Sequence, residues 1–155
     1  MSYHCEAVEK EAQPTLSIRT RTPVEGLPSV LGRGYGAIMQ YLGELGEYPA
    51  GMPFVAYYNM DMQDLDIELG FPVSHPIPGR DTLQSSQIPA GHYATCLYTG
   101  PYEDMVPAYE ALNAWIQEHG YEPAGVAYEF YLNGPDDTPP EGLQTQIMFL
   151  LKPPA

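Results

Sequence analysis

The chain contains an internal repeat, which restricts its fold more than any other feature of the sequence. Residues 46–51 (Gly-Glu-Tyr-Pro-Ala-Gly) return as residues 120–125 (Gly-Tyr-Glu-Pro-Ala-Gly), 74 positions later. The same offset pairs Leu31, Tyr35, Ile38, Tyr41 and Leu42 with Met105, Tyr109, Leu112, Trp115 and Ile116. Two copies are too few for a solenoid. The repeat therefore predicts a pseudo-twofold domain with a ligand-sized groove where the halves meet.

Hydrophobic periodicity gives each half the same order of elements. Apolar residues at three- and four-residue spacing predict helices, and alternating β-formers predict strands. The prediction is strands at 15–22, 53–60 and 65–71 around a helix at 29–45, then strands at 91–99, 127–132 and 143–151 around a helix at 104–119. Each half is therefore β-α-β-β. We expect one fused domain over 1–155, with repeat halves at about 5–76 and 88–152, an extended lead-in at 1–13 and a joint at 76–87.

The charge distribution excludes some partners. The formal net charge is −14, and ten acids but no Lys or Arg lie between Arg80 and Lys152. Such a surface repels phosphate backbones, so we expect no direct nucleic-acid binding. It attracts cations and basic partners. An alternative interpretation is that the negative charge only keeps the protein soluble.

Few of the usual signals of metal, cofactor or membrane function are present. The two cysteines, Cys5 and Cys96, suggest neither a disulfide framework nor a CxxC metal site, and the four histidines lack metal-ligand spacing. We expect no metal and no cofactor. No secretory signal begins the sequence and no apolar run approaches the roughly 18 residues of a membrane span, so we expect a cytoplasmic protein without membrane contact.

Glu129 is the residue that the strand pattern explains least. It lies in Ala-Tyr-Glu-Phe-Tyr-Leu, shares a strand face with Ala127 and Tyr131, and corresponds to Val55 in the first half. If this face points into the core, the carboxylate is costly to bury and its pKa is raised. If the face points to solvent, Glu129 is an ordinary surface acid, and the pattern leaves both alternatives open.

Aromatic residues on the two predicted helices are candidates for ligand contacts. Tyr35 and Tyr109 fall on the core stripes, while Trp115 and its repeat partner Tyr41 lie beside them. Such residues are ordinary core in most proteins, but their flat faces also suit planar or cationic ligands.

Motifs of the second half resemble a known family. The matching segments are Gly91-His92-Tyr93-Ala94, Tyr98-Thr99-Gly100-Pro101-Tyr102, Ala108-Tyr109, Leu112, Trp115-Ile116, Gly120-Tyr121 and Glu129-Phe130-Tyr131, together with Asp66-Ile67-Glu68-Leu69-Gly70-Phe71-Pro72-Val73 in the first half. In order and spacing they resemble the GyrI-like effector-binding domain, the ligand-binding part of multidrug-responsive regulators of the BmrR type, over roughly residues 5–152.

The resemblance implies an α+β fold of duplicated β-α-β-β units with pseudo-twofold symmetry, in which a curved antiparallel sheet and two long helices flank a central groove. It implies binding of a hydrophobic or cationic small molecule. Glu129 matches the family's central acid, and the expected ligand-binding residues are Glu129, Tyr131, Tyr57, Trp115, Tyr35 and Tyr109. Thr145-Gln146-Ile147 departs from the pattern, since relatives commonly carry an acid there.

Two other functions stay open beside small-molecule binding. Some relatives resemble hydrolases of cyclopropane-bearing genotoxins that use a Trp and the same Glu, so Glu129 and Trp115 are the catalytic candidates if the protein is an enzyme. A gyrase-inhibitor-like module would instead bind a protein partner through its acidic surface. No helix-turn-helix pattern precedes the first strand, so we expect a stand-alone form. The sequence does not indicate an oligomeric state.

Overall fold

The computed structural model describes residues 3–153, and within them the chain forms eight antiparallel strands and two α-helices. In chain order the elements are β1 (Cys5–Lys10), β2 (Gln13–Thr22), α1 (Leu27–Leu45), β3 (Phe54–Tyr57), β4 (Leu65–Pro72), β5 (Gln84–Ile88), β6 (Gly91–Thr99), α2 (Val106–Glu118), β7 (Pro123–Tyr131) and β8 (Gln144–Leu151). Short 3₁₀ helices at Val24–Gly26, Tyr102–Asp104 and Pro140–Gly142 join some of them. The α+β class and the duplicated β-α-β-β plan are confirmed.

The chain divides into two compact units. The N-terminal unit is residues 12–89, and among the described residues the C-terminal unit is formed by 90–153 together with 3–11.

In the N-terminal unit, β5, β2, β4 and β3 lie side by side in that order. Alternation along β4 turns Leu69 toward α1, where a side chain at Gly34 would touch it. The helix α1 has a proline in its first turn and ends at Gly46, whose φ of +69° is one that glycine adopts without steric cost. The predicted helix at 29–45 ends at the same residue as α1, one position before this glycine.

The C-terminal unit has the same arrangement, with β1, β6, β8 and β7 in order. One face of its sheet, called here the helix face, packs against α2. Residues of the sheet and of α2, together with Met105 just before the helix, form the buried cluster, namely Ala94, Cys96, Tyr98, Met105, Ala108, Leu112, Ile116, Ala127, Ile147, Phe149 and Leu151.

Strand registers confirm that Val55 is the counterpart of Glu129. Glu129 stands opposite Ile147 of β8, and Val55 stands opposite Leu69 of β4. Leu69 and Ile147 are both fully buried. The repeat therefore places an apolar residue in one unit where the other unit has an acid.

Two strands go beyond the predicted β-α-β-β halves. We expected residues 1–13 to lead into the first half, but β1 pairs with β6 of the second. We expected residues 76–87 to be a joint, but β5 forms there and pairs with β2. Its sequence, Gln-Ser-Ser-Gln-Ile, is polar because β5 is an edge strand in which only Ile88 is buried. Among the described helices, none combines the length and apolar character needed to cross a membrane.

Candidate functional site

Glu129 lies on the helix face of β7, at the point where the strand passes α2. Its strand neighbours Tyr128 and Phe130 point to the opposite face, as alternation requires. Only 9% of Glu129 is exposed. The solvent-facing alternative is therefore excluded, and the chain buries a carboxylate beside its apolar cluster.

Two tyrosine hydroxyls hold the Glu129 carboxylate. Tyr109 of α2 donates a hydrogen bond to Oε2, and Tyr131, two residues along β7, donates to Oε1 at 2.8 Å. Burial raises the pKa of Glu129, and the two hydrogen bonds oppose the rise without cancelling it. The ionised form is thus held in position but less stable than in water.

Tyr102 is a third aromatic residue of this site, and sequence analysis did not include it. Its ring meets the Tyr131 ring edge-on with centroids 5.7 Å apart, and 39% of the residue is exposed. Burial and the charge of Glu129 raise the pKa of Tyr102. Tyr102 belongs to the short 3₁₀ helix before α2 and lies between the predicted strand at 91–99 and the predicted helix at 104–119, so periodicity gave no signal for it.

Thr145 adds a hydroxyl to the same region of the sheet. It stands directly opposite Tyr131 and is fully buried. Among the described residues its Oγ1 finds no hydrogen-bond partner. A buried polar group without a partner is uncommon and calls for a ligand or an ordered water. The departure noted at 145–147 thus places a hydroxyl opposite Tyr131, on the same face of the sheet as Glu129.

Positive charge is scarce around Glu129. The C-terminal unit contains twelve Asp and Glu but only Lys10 and Lys152 as Lys or Arg. Lys152 lies 3.5 Å from Glu122. Within the described part of the chain, no Lys, Arg or His forms an ion pair with Glu129, so its carboxylate has hydrogen bonds but no counter-ion.

The N-terminal unit shows what replaces these contacts when the acid is absent. Tyr35, the repeat partner of Tyr109, donates its hydroxyl hydrogen bond to the backbone oxygen of Phe54 at 2.8 Å. Its ring meets Phe71 edge-on at 5.3 Å, while the Tyr109 ring lies 5.6 Å from that of Phe149. Each tyrosine packs against a phenylalanine of its own unit, and the acceptor of its hydroxyl changes from a carboxylate to a backbone oxygen.

The remaining predicted ligand residues lie elsewhere in the two units. Tyr57 is half-buried at the end of β3 in the N-terminal unit. Trp115 lies six residues beyond Tyr109 on α2, about 9 Å along the helix axis. Its ring stacks on His119 at 4.1 Å and on Tyr121 at 5.9 Å. The structure thus brings Glu129, Tyr109 and Tyr131 together, and Trp115 belongs to a separate stack of rings.

A second strand acid is also buried. Glu68 of β4 is 7% exposed and lies on the face turned away from α1. It accepts hydrogen bonds from Ser17 at 2.5 Å and from Tyr58 at 2.7 Å. The Arg19 guanidinium lies 3.8 Å from the Tyr58 ring centroid and pairs with Asp66. The Arg19 guanidinium therefore already covers the aromatic ring beside Glu68. Among the described residues, no such cation pairs with Glu129.

Comparisons with solved structures agree with this architecture. The C-terminal domain of EcmrR matches with a TM-score of 0.87 at 21% identity, over 98% of this chain and 99% of that one. A hydrolase from Listeria innocua matches with a TM-score of 0.70 at 12% identity, over 96% and 91%.

SAV2435 bound to tetraphenylphosphonium matches with a TM-score of 0.64 at 12% identity, over 98% of this chain and 94% of that one. At these identities the likeness shows the fold alone. No curated protein matches the sequence significantly. The profile of the GyrI-like small molecule binding domain matches residues 4–152, and the chain belongs to that family.

Proposed function

We propose that the site around Glu129 binds a hydrophobic small molecule that carries a positive charge. The observation that carries this proposal is the buried Glu129 carboxylate, which has two hydrogen-bond donors and no counter-ion among the described residues. Burying an uncompensated charge is unfavourable, so a cationic ligand gains the attraction that the protein itself does not supply.

Aromatic rings beside the carboxylate support the hydrophobic part of the ligand. Tyr109 and Tyr131 direct their hydroxyls at Glu129, and the Tyr102 ring packs edge-on against Tyr131. The faces of such rings attract cations. Thr145 offers a further hydrogen bond. Tyr35, Tyr57 and Trp115 stay predicted ligand residues, as the family resemblance implied.

The tetraphenylphosphonium complex of SAV2435 suggests a probe for the experiment. Tetraphenylphosphonium is titrated against the wild type and Glu129→Gln by calorimetry, with triphenylphosphine oxide as the uncharged comparison. We expect Glu129→Gln to weaken cation binding at least tenfold, about 1.4 kcal/mol, and to leave binding of the neutral compound nearly unchanged.

A matched variant separates local from distant electrostatics. Glu118→Gln removes the same charge from the exposed end of α2 and should leave both affinities unchanged. Equal cation affinity for the wild type and Glu129→Gln would refute the proposal. So would an equal loss in Glu118→Gln, because the effect would then come from net charge.

The raised pKa of Glu129 favours a second candidate function, hydrolysis of a strained electrophile such as a cyclopropane-bearing alkylator. A carboxyl group with a raised pKa is a better proton donor near neutral pH and, once ionised, a stronger base toward water. The likeness to the Listeria innocua hydrolase agrees with this alternative.

Product analysis separates catalysis from sequestration. The enzyme adds one water molecule per substrate over many turnovers, and Glu129→Gln abolishes this. A binding protein depletes the free compound only up to its own concentration and releases it unchanged on denaturation. A protein partner and a cytoplasmic location stay predictions.

A further inference from the structure

The two cysteines of the chain are brought together by the N-terminal strand. Cys5 of β1 stands directly opposite Cys96 of β6 in the antiparallel register. Directly opposed residues point to the same side of a sheet, and their Cα atoms lie about 4.5 or 5.5 Å apart depending on the ladder position. Both separations fall within the range of about 4.4–6.8 Å that disulfides span.

Burial and contacts distinguish the two thiols. Cys96 is buried in the cluster under α2, whereas Cys5 is half-buried at the edge strand and packs against the same cluster. Burial raises the pKa of Cys96 to about 12, and the neighbouring Cys5 thiol adds to the rise. The two residues face each other across the β1–β6 ladder, and Cys5, the more exposed of the two, is the one that an external reagent reaches first.

We propose that Cys5 and Cys96 form a redox modification site, at which a small disulfide oxidant such as oxidised glutathione closes a reversible intramolecular disulfide that fixes β1 to β6. The Cys5 thiolate attacks oxidised glutathione, forming a mixed disulfide and releasing one glutathione. The Cys96 sulfur then attacks the Cys5 sulfur, and a second glutathione leaves with the Cys96 proton. Two protein thiols are oxidised and one glutathione disulfide is reduced to two thiols.

The strand geometry indicates that this bond is easily reduced. Opposed Cβ atoms in an antiparallel pair lie about 4.5–5.5 Å apart, whereas disulfides favour about 3.8 Å. Closing the bond therefore draws the strands together locally and stores strain, which is typical of labile, regulatory disulfides. The bond also closes a loop of about 90 residues, so oxidation restricts the unfolded chain strongly.

Intact-mass measurement after incubation with oxidised glutathione tests the bond. We expect the wild type to lose about 2 Da and both titratable thiols, to remain a single chain, and to recover its thiols with dithiothreitol. A tryptic peptide pair linking Cys5 to Cys96 locates the bond. Two glutathione adducts of about 305 Da each, a disulfide-linked dimer, or unreacted thiols would each overturn the proposal.

A register-shifted variant is the matched control. In Cys5→Ser/Glu6→Cys the thiol moves one residue along the same exposed strand, where it faces Thr95 and points to the opposite side of the sheet. We expect this variant to gain one glutathione and to keep the Cys96 thiol. If it forms the intramolecular bond as readily as the wild type, the register carries no specificity and the proposal is wrong.

Hydrogen exchange tests the effect on the strand. In the oxidised wild type the amides of β1 should exchange more slowly than in the reduced protein, and the melting temperature should rise by several degrees. Unchanged exchange in β1 after complete bond formation would show that the bond does not restrain the strand. These measurements do not depend on ligand binding, so their outcome is independent of the function proposed for Glu129.

Discussion

Two glycines of α1 differ sharply in what surrounds them, and this difference predicts opposite effects of the same substitution. A Cβ atom added at Gly36 would meet nothing within 4 Å. A Cβ atom at Gly34 would lie 2.5 Å from Cδ1 of Leu69, 3.2 Å from Cδ2 and 3.4 Å from Cγ. Since Leu69 is fully buried and all three of its outer carbons are close, rotation of one methyl group does not clear the space.

The magnitudes follow from these contacts. Alanine in place of glycine in a helix interior gains about 0.5–1 kcal/mol, so Gly36→Ala should stabilise the protein by this amount. Gly34→Ala gains the same propensity but overpacks the α1–β4 contact, which typically costs about 1–3 kcal/mol. The two variants should therefore differ by about 1–3 kcal/mol, or about 2–12 °C in Tm for a chain of this length.

Urea denaturation followed by far-ultraviolet circular dichroism measures the difference. The stability difference between the two variants does not include the gain in helix propensity, because both substitutions are Gly to Ala in the same helix. As a further check, Leu69→Ala should cost less in the Gly34→Ala background than in the wild type, because the new methyl group fills part of the space left by the leucine. Equal stability of the two glycine variants would refute the close packing of α1 on β4.

Three further predictions concern the acid, the paired tyrosines and the sheet. Because burial raises the pKa of Glu129, its ionisation destabilises the fold at neutral pH. This destabilisation disappears as the pH falls through the pKa of the folded state toward that of the unfolded state. Glu129→Gln should therefore be more stable than the wild type at pH 7 in urea denaturation, by a margin that shrinks near pH 4.5. Tyr109→Phe removes a hydrogen bond to the ionised carboxylate and so raises the pKa of Glu129 further; as the pH is lowered, tetraphenylphosphonium affinity should therefore begin to fall at a higher pH than in the wild type. Tyr35→Phe should cost about 1 kcal/mol of stability and leave that pH profile unchanged. Gly70→Ala would place a Cβ atom 2.5 Å from the backbone oxygen of Leu16, so this variant should lose about 1–3 kcal/mol or fail to accumulate as folded protein, as measured by thermal melting.

The repeat predicted most of the fold because both units obey the same periodicities. The predicted strand at 91–99 has the bounds of β6, and the predicted helix at 29–45 ends at the same residue as α1. The two missed pairings, those of β1 and β5, involve polar edge strands, which lack the alternating burial that marks a strand in sequence. The partner of an edge strand depends on tertiary contacts.

The candidate site was predictable only in part. Glu129 stood out because an acid within a run of β-formers breaks the pattern, and Tyr109 followed from the repeat. Glu68 carries the same signal in Asp-Ile-Glu-Leu, and we did not single it out. Tyr102 lies outside any periodic segment, and Thr145 becomes notable only when its hydroxyl is seen to be buried without a partner.

The pairing of β1 with β6 makes the C-terminal unit discontinuous in sequence, and this affects the order in which the protein can fold during synthesis. Residues 12–89 form a continuous segment that leaves the ribosome before most of the other unit exists. The strand β1 is made before this segment, yet its partner β6 follows about 90 residues later. Contacts of such long sequence separation form slowly, so closure of this sheet should be a late step. Until then β1 is an unpaired strand, open to pairing with other chains.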